Sequence, residues 1–304
     1  MIFRHERGAT WADLEQPSPE EVAAAAKEFG LSSRFVDEIS SPSPVPLALA
    51  ESDSALLVLH FPTRDAEDDD AREQEIDLVV GHNFLLTVRY EVIAPLHSLH
   101  KSLEAHEMLG VAGKLGADDL LELVLGKIFD AARDRAKHIA LRTSSIERGL
   151  FGGAERDTIR EISLLNREFL HLEAAIADNE DPLTHFLAAV ERRGFFGPHF
   201  TERATRISAE REHVARLANT HRKIASELQA TNATLLNARQ NEIVKTLTVM
   251  AFMTFPLGLV ASIFSMDTRD TPIVGLPGGF WIILGIMILM AVGFFIYFRA
   301  RRWL

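Results

Sequence analysis

Two groups of residues near the end of this 304-residue chain have types and spacing suited to cation chemistry. The first is Ser265-Met266-Asp267-Thr268, followed by Arg269-Asp270, where a long apolar run stops. Hard divalent cations take carboxylate, carbonyl and water oxygens, and Mg2+ keeps several of its own waters. Repeated around an axis, such a ring would be the first contact of a hydrated cation at an outer pore mouth. In a single chain the two acids could equally be loop residues paired with Arg269. The second group is the stripe Asn241, Val244, Thr248, Ala251, Phe255, Gly258, Ser262 and Ser265, spaced three and four apart. It is smaller and more polar than the rest of its run, which carries Leu247, Met250, Leu257 and Ile263. Small and polar side chains inside a span either let helices pack closely or line a pore. Thr248 and Asn241 could also be satisfied by their own backbone.

Other candidates are weaker. His97-x-x-His100-x-x-x-Glu104, with His106 nearby, puts three possible ligands on one helical face. A zinc site needs a fourth ligand or an open position as well, so these are read as exposed helix residues. His221 falls in an apolar stripe and is read as a core or axial polar residue. No nucleotide-binding loop, nucleophile elbow or HExxH motif occurs, so neither enzymatic activity nor a bound cofactor is expected. The absence of cysteine excludes disulfides and thiolate metal sites.

The elements that must position these residues are two apolar runs, Val244–Phe264 and Phe280–Phe298. Each meets the roughly 20 residues needed to cross a bilayer. The pair predicts a transmembrane hairpin, 244–264 and 280–298, joined by an extracytoplasmic loop 265–279 and followed by a basic tail 299–304. Five basic residues against two acids give residues 243–304 a net charge of +3, which leaves −14 of the whole-chain −11 on residues 1–242. So acidic a polar part repels nucleic acid and draws cations towards it. Arg239 and Lys245 precede the first span and Arg299, Arg301 and Arg302 follow the second, which predicts both termini on the cytoplasmic side. The first residues lack the apolar core of a signal peptide, so the large polar part is not expected to be exported.

Residues 1–198 read as a mixed α/β domain followed by helices. Ser18-Pro19-Glu20-Glu21 opens a helix that stops at Gly30. Ala55–Phe61, Ile76–Val80 and Phe84–Val88 read as strands, the last two joined by a turn at Gly81-His82-Asn83. The charge run Asp65–Glu75 reads as a solvated loop. Asp118–Arg148 and Ile159–Ala177 are amphipathic helices. From about Phe200 to Phe264 the helical signal does not break, and residues 199–243 form a stalk that continues into the first span. At 1.5 Å per residue the whole segment would reach roughly 100 Å. Its heptad positions Ile207, Val214, His221, Leu228 and Leu235 serve either self-association or packing against helices of the same chain.

Asn241-Glu242-Ile243-Val244-Lys245-Thr246-Leu247-Thr248, then Phe255-Pro256-Leu257, then the Ser265-Met266-Asp267 triplet, resemble the first span of the CorA family of divalent-cation transporters. The basic, tryptophan-containing ending Phe298–Leu304 resembles the CorA tail, and Trp11-Ala12-Asp13-Leu14 resembles its N-terminal part more weakly. The resemblance implies an α+β membrane protein: a cytoplasmic αβα domain, a long stalk helix continuing into a pore-lining first span, and a peripheral second span. It implies homopentamers in the inner membrane that conduct Mg2+, Co2+ or Ni2+ down the electrochemical gradient, with a related ZntB branch that carries Zn2+. Asn241, Val244, Phe255 and Gly258 would face the pore, and Asp267 would take the place of the Asn in the family's Gly-Met-Asn.

The departures from the family pattern carry their own expectations. Five Asp267 carboxylates on one ring would repel one another, so some would be protonated or neutralised by a bound cation. Tighter capture, slower release or altered selectivity would follow. Ser265 adds a side chain at a tight turn, Phe255 makes a bulkier hydrophobic gate, and Gly258 removes a hydroxyl. The stalk stretch Thr205-Arg206-Ile207 has no acid, so Mg2+ feedback is absent or built differently. The alternative is a transport-silent relative that senses cations or scaffolds partners at the membrane.

Overall fold

The computed structural model describes residues 2–4, 8–62, 73–108, 115–151, 155–266, 273 and 278–301. Two compact units divide the chain, Met1–Gln229 and Ala230–Leu304.

The first unit is built on a six-stranded sheet. Its strands are β1 (Ile2–Arg4), β2 (Thr10–Glu15), β3 (Leu47–Ala50), β4 (Ser54–Pro62), β5 (Glu73–Gly81) and β6 (Phe84–Arg89), in the order β1-β2-β6-β5-β4-β3. All neighbours are antiparallel except β2 and β6, which run parallel from Thr10 opposite Phe84 to Glu15 opposite Arg89. The central strands are apolar on both sides because helices cover both faces. On one face α1 (Pro19–Phe29) and α2 (Ser33–Ile39) bury Val22, Ala25, Phe35 and Ile39 against Leu56, Val58, Val79, Leu86 and Val88. Helix α1 starts where its sequence signals place it. Ser18 accepts from the Glu21 amide, Glu21 accepts from the Ser18 amide, and Gly30 closes the helix at φ 66°.

The remaining helices of this unit are α3 (Ala94–Met108), α4 (Ala117–Phe151), α5 (Glu155–Asp178) and α6 (Glu180–Arg193), followed by the first part of α7 (Phe200–Phe264). Helices α3 through α6 complete the αβα arrangement. The joint between α5 and α6 is tied to the sheet by Asn179, which is fully buried. Its side chain donates to the His60 carbonyl at 2.7 Å and accepts from the His60 amide at 3.0 Å. Strand β3 begins at Leu47 opposite Val58, so β4 has outrun its neighbour at His60. The Asn179 amide substitutes there for a missing strand.

The heptad stripe of α7 is used within the chain. Ile207, Val214 and Leu228 are buried, and His221 stacks on Phe169 of α5 with ring centroids 5.9 Å apart. Asn219 and Arg222 both reach Glu173 of α5, at 2.7 and 2.5 Å. Of the two uses open to the stripe, packing against helices of the same chain accounts for this stretch.

The second unit contains the rest of α7 and α8 (Gly279–Ala300). Both are long and apolar enough to cross a membrane. Helix α7 contains a single glycine, Gly258, and a single proline, Pro256, and the helix continues through both. Gly279 opens α8 where a side chain would not fit, since a Cβ there would lie 2.4 Å from the Ile273 carbonyl oxygen.

Candidate ion path and its setting

Within the second unit each apolar helix has one covered stripe. On α7 it comprises Lys245, Val249, Met253, Pro256, Val260 and Phe264, flanked by the half-buried Thr248 and Leu257, with Val249 the most buried. On α8 it comprises Ile283, Met287, Met290, Phe294 and Phe298. Spacings of three and four on both, in a unit where α8 is the only other helix described, are the pattern of two helices packed side by side.

The candidate stripe lies elsewhere on α7. At about 100° per residue, Val244, Ala251, Phe255, Gly258 and Ser262 point away from the covered side, and Asn241 and Thr248 lie at its edge. All are exposed in the single chain except Thr248, which is half-buried, and Phe255 is 77% exposed. Beyond its own helical turn, no atom of the described residues comes within 4 Å of where a Gly258 side chain would begin, so its smallness serves no packing among them. The Thr248 hydroxyl donates to the Val244 carbonyl at 2.7 Å, the local bond anticipated for it, and keeps its oxygen lone pairs for another donor or an ion. Pro256 supplies no amide to the Phe252 carbonyl, so that one intrahelical bond is missing from the span.

At the end of the helix the Ser265 amide donates to Ala261 at 3.0 Å and the Met266 amide to Ile263 at 3.3 Å. Ser265 and Met266 are both exposed. Asp267, the remaining member of the triplet, lies outside the described residues, as do Arg269 and Asp270. Among the described residues no group of three or more His, Asp or Glu is placed to hold a metal ion.

The histidine group of α3 is a correction. His100 is fully buried, not exposed, and its ring packs on Trp11 at 5.2 Å while Glu104 stands 3.8 Å from its Nε2. Burial lowers its pKa, against the pull of Glu104. His97 is half-buried, and the side chain of His106 lies outside the described residues.

The sequence reading missed a clasp between α4 and α7. Arg203 reaches Asp118 at 3.0 Å, Asp119 at 2.5 Å and Glu122 at 2.7 Å, and Arg206 shares Glu122 at 2.6 Å. Three acids in the first turns of α4 exceed what a helix start needs, and that surplus was the available signal.

Comparison with known proteins agrees with this layout. The CorA-like Mg2+ transporter family matches residues 6–302. The chain belongs to that family. The cobalt/magnesium transport protein CorA of Methanocaldococcus jannaschii is 20% identical over 300 residues, 97% of this chain and 91% of the relative. The complete structure of the CorA magnesium transporter from the same organism superposes with a TM-score of 0.83 at 19% identity, covering 100% of this chain and 94% of that one. The ZntB cytoplasmic domain of Vibrio parahaemolyticus matches at a TM-score of 0.55 and 12% identity, over 77% of this chain and 90% of that domain. Family membership makes this chain a membrane transporter of divalent cations. The fold expected from the resemblance, an N-terminal αβα domain, a long helix running into the first apolar span and a second apolar helix, is the one observed.

Proposed function

We propose that this protein is a homopentameric channel that moves a divalent metal ion across the inner membrane down its electrochemical gradient. Mg2+ is the foremost candidate, with Zn2+, Co2+ and Ni2+ as alternatives. The carrying observation is the free face of α7, whose small, polar and aromatic residues point away from the stripe covered in the hairpin. Two helices cannot enclose a hydrophilic path, whereas several copies of α7 turned to a common axis can.

In this reading the hydrated ion is met at the outer mouth by Asp267, with Ser265 and Met266 shaping the ring. It then passes Ser262 and Gly258, the Phe255 constriction, Ala251, Thr248 and Val244, and leaves near Asn241. Both termini lie on the cytoplasmic side, in keeping with the basic residues that flank the spans. An inward-negative potential supplies about 2.3 kcal/mol per charge per 100 mV, hence about twice that for a divalent ion. No hydrolysed nucleotide is needed.

The test is ion flux into liposomes carrying the full-length protein, with Mg2+, Zn2+, Co2+ and Ni2+ in parallel. Asp267→Asn is expected to lower apparent cation affinity by about tenfold, equivalent to roughly 1.4 kcal/mol. Unchanged affinity and ion preference would remove Asp267 from the path. Absence of flux for all four ions, in protein that is oligomeric and well folded, would favour the scaffold or sensor reading.

A further inference from the structure

Beneath α2, on the sheet face that is otherwise apolar, sits a group of acids that the ion path does not use. Glu75 and Asp77 project from the same side of β5, two residues apart, and Asp77 is fully buried. Asp77 Oδ2 accepts from the Tyr90 hydroxyl at 3.0 Å, while its buried Oδ1 accepts from no donor among the described residues. Both oxygens of Glu75 accept from the Ser43 amide at 2.9 Å. His60 of β4 stands 3.5 Å from Glu75, and Glu38 of α2 approaches the Ser43 hydroxyl at 3.5 Å. No lysine or arginine ion pair reaches Glu75 or Asp77 among the described residues.

Two ionised carboxylates so close in an apolar interior would cost several kcal/mol. The arrangement removes that cost if one of them is a neutral acid. Asp77 is the better holder, because it is deeper and lacks an amide donor such as the Ser43 N–H that stabilises charge on Glu75. We propose that Glu75 and Asp77 share one proton in the core of the N-terminal unit, and that its loss at alkaline pH loosens the α1–α2 layer from the sheet.

The electrostatics agree. Burial, and then the negative charge of Glu75, push Asp77 up to about 9, partly opposed by the Tyr90 hydrogen bond. The sign follows from linkage. An acid whose folded pKa is raised above its ordinary 3.8 binds its proton in the folded chain while the unfolded chain has lost it. Stability therefore falls as pH climbs from the ordinary carboxylate range to about 9, and levels off above that. Loss of the proton would place two negative charges under Phe35 and Ile39, with Glu38 adding a third. The inference concerns the N-terminal unit alone and does not depend on the transport reading.

The decisive measurement is infrared spectroscopy of the full-length protein in lipid nanodiscs between pH 6 and 10. The wild type should show a protonated-carboxyl C=O band that titrates away near pH 9, and D77N should lack it. E75Q removes the neighbouring charge, so the band should persist with its midpoint shifted down. A D77N spectrum identical to wild type would overturn the proposal. So would an unmoved midpoint in E75Q, which decides the question if D77N does not fold. Hydrogen exchange over Ser33–Ile39, corrected for the intrinsic pH dependence, should rise above pH 8 in the wild type and stay flat in D77N. A flat wild-type profile would refute the loosening.

Discussion

Arg203 of α7 donates to Glu122 of α4 at 2.7 Å, and the same guanidinium faces Asp118 and Asp119. One cation thus gathers three carboxylates at the start of the longest helix of the N-terminal unit. Side chains in this group are only about a quarter exposed, apart from Arg206, so the network is more than a surface ion pair.

Arg203→Ala should therefore destabilise the protein by about 1–2 kcal/mol, since three acids lose a shared partner. The hydrogen bond from Arg206 is the largest cause holding the Glu122 pKa below its ordinary value. A depressed acid contributes stability above its unfolded pKa and loses it as pH falls through the folded one. The Arg203→Ala deficit should accordingly shrink on acidification below the ordinary carboxylate range. Thermal melts of wild type and variant at neutral and acid pH would check this; equal melting temperatures at neutral pH would contradict it.

Asn179→Ala should cost more. It strips the His60 amide and carbonyl of their partners at a fully buried position. Each unsatisfied buried group costs about 1–3 kcal/mol, so a loss of about 2–4 kcal/mol is expected. Denaturation midpoints would measure it, and Asn179→Asp, which keeps the acceptor but loses the donor, should not restore the wild-type value.

Gly258→Ala separates packing inside the chain from packing between chains. No described residue outside its own helical turn crowds the position, so the substitution should leave the stability of the protomer within about 0.5 kcal/mol of wild type. If Gly258 lies on a narrow shared path, the added methyl should lower ion flux by about tenfold, a barrier change of roughly 1.4 kcal/mol. Flux and melting temperature measured on the same preparation would decide. Unchanged flux would take Gly258 off the path.

The residues that give local signals read correctly, except at the end of the charge run Asp65–Glu75: Glu73–Glu75 belong to β5 rather than to a solvated loop and Glu75 is buried, while residues 65–72 lie outside the described residues. Ser18, Glu21 and Gly30 bound α1, Gly81-His82-Asn83 turns the β5–β6 hairpin, and the unbroken run from Phe200 to Phe264 is one helix. Strand β2 was not foreseen, and Asp13 shows why. A buried carboxylate in mid-strand reads as loop until the parallel partner β6 brings Arg89 to it at 2.8 Å. Helix α6 is likewise held by partners far away in sequence, the strands β3 and β4, whereas the short strands β1 and β3 pair with the near neighbours β2 and β4. His100 looked exposed because its cover, Trp11, is supplied from strand β2, distant in sequence from α3.

By itself the sequence determined two spans of sufficient length, the charge asymmetry around them, the caps and turns, and a polar stripe along the first span. These depend on properties of neighbouring residues, which act over a turn or two of backbone. Tertiary structure alone decided that the heptads of α7 pack on α5 through His221 and Phe169, and that the covered side of the first span is the one away from Phe255 and Gly258. It also buried Glu75 and Asp77 together under α2. Those outcomes depend on which distant surfaces meet, and the burial and pairing of a polar group exist only once they have met.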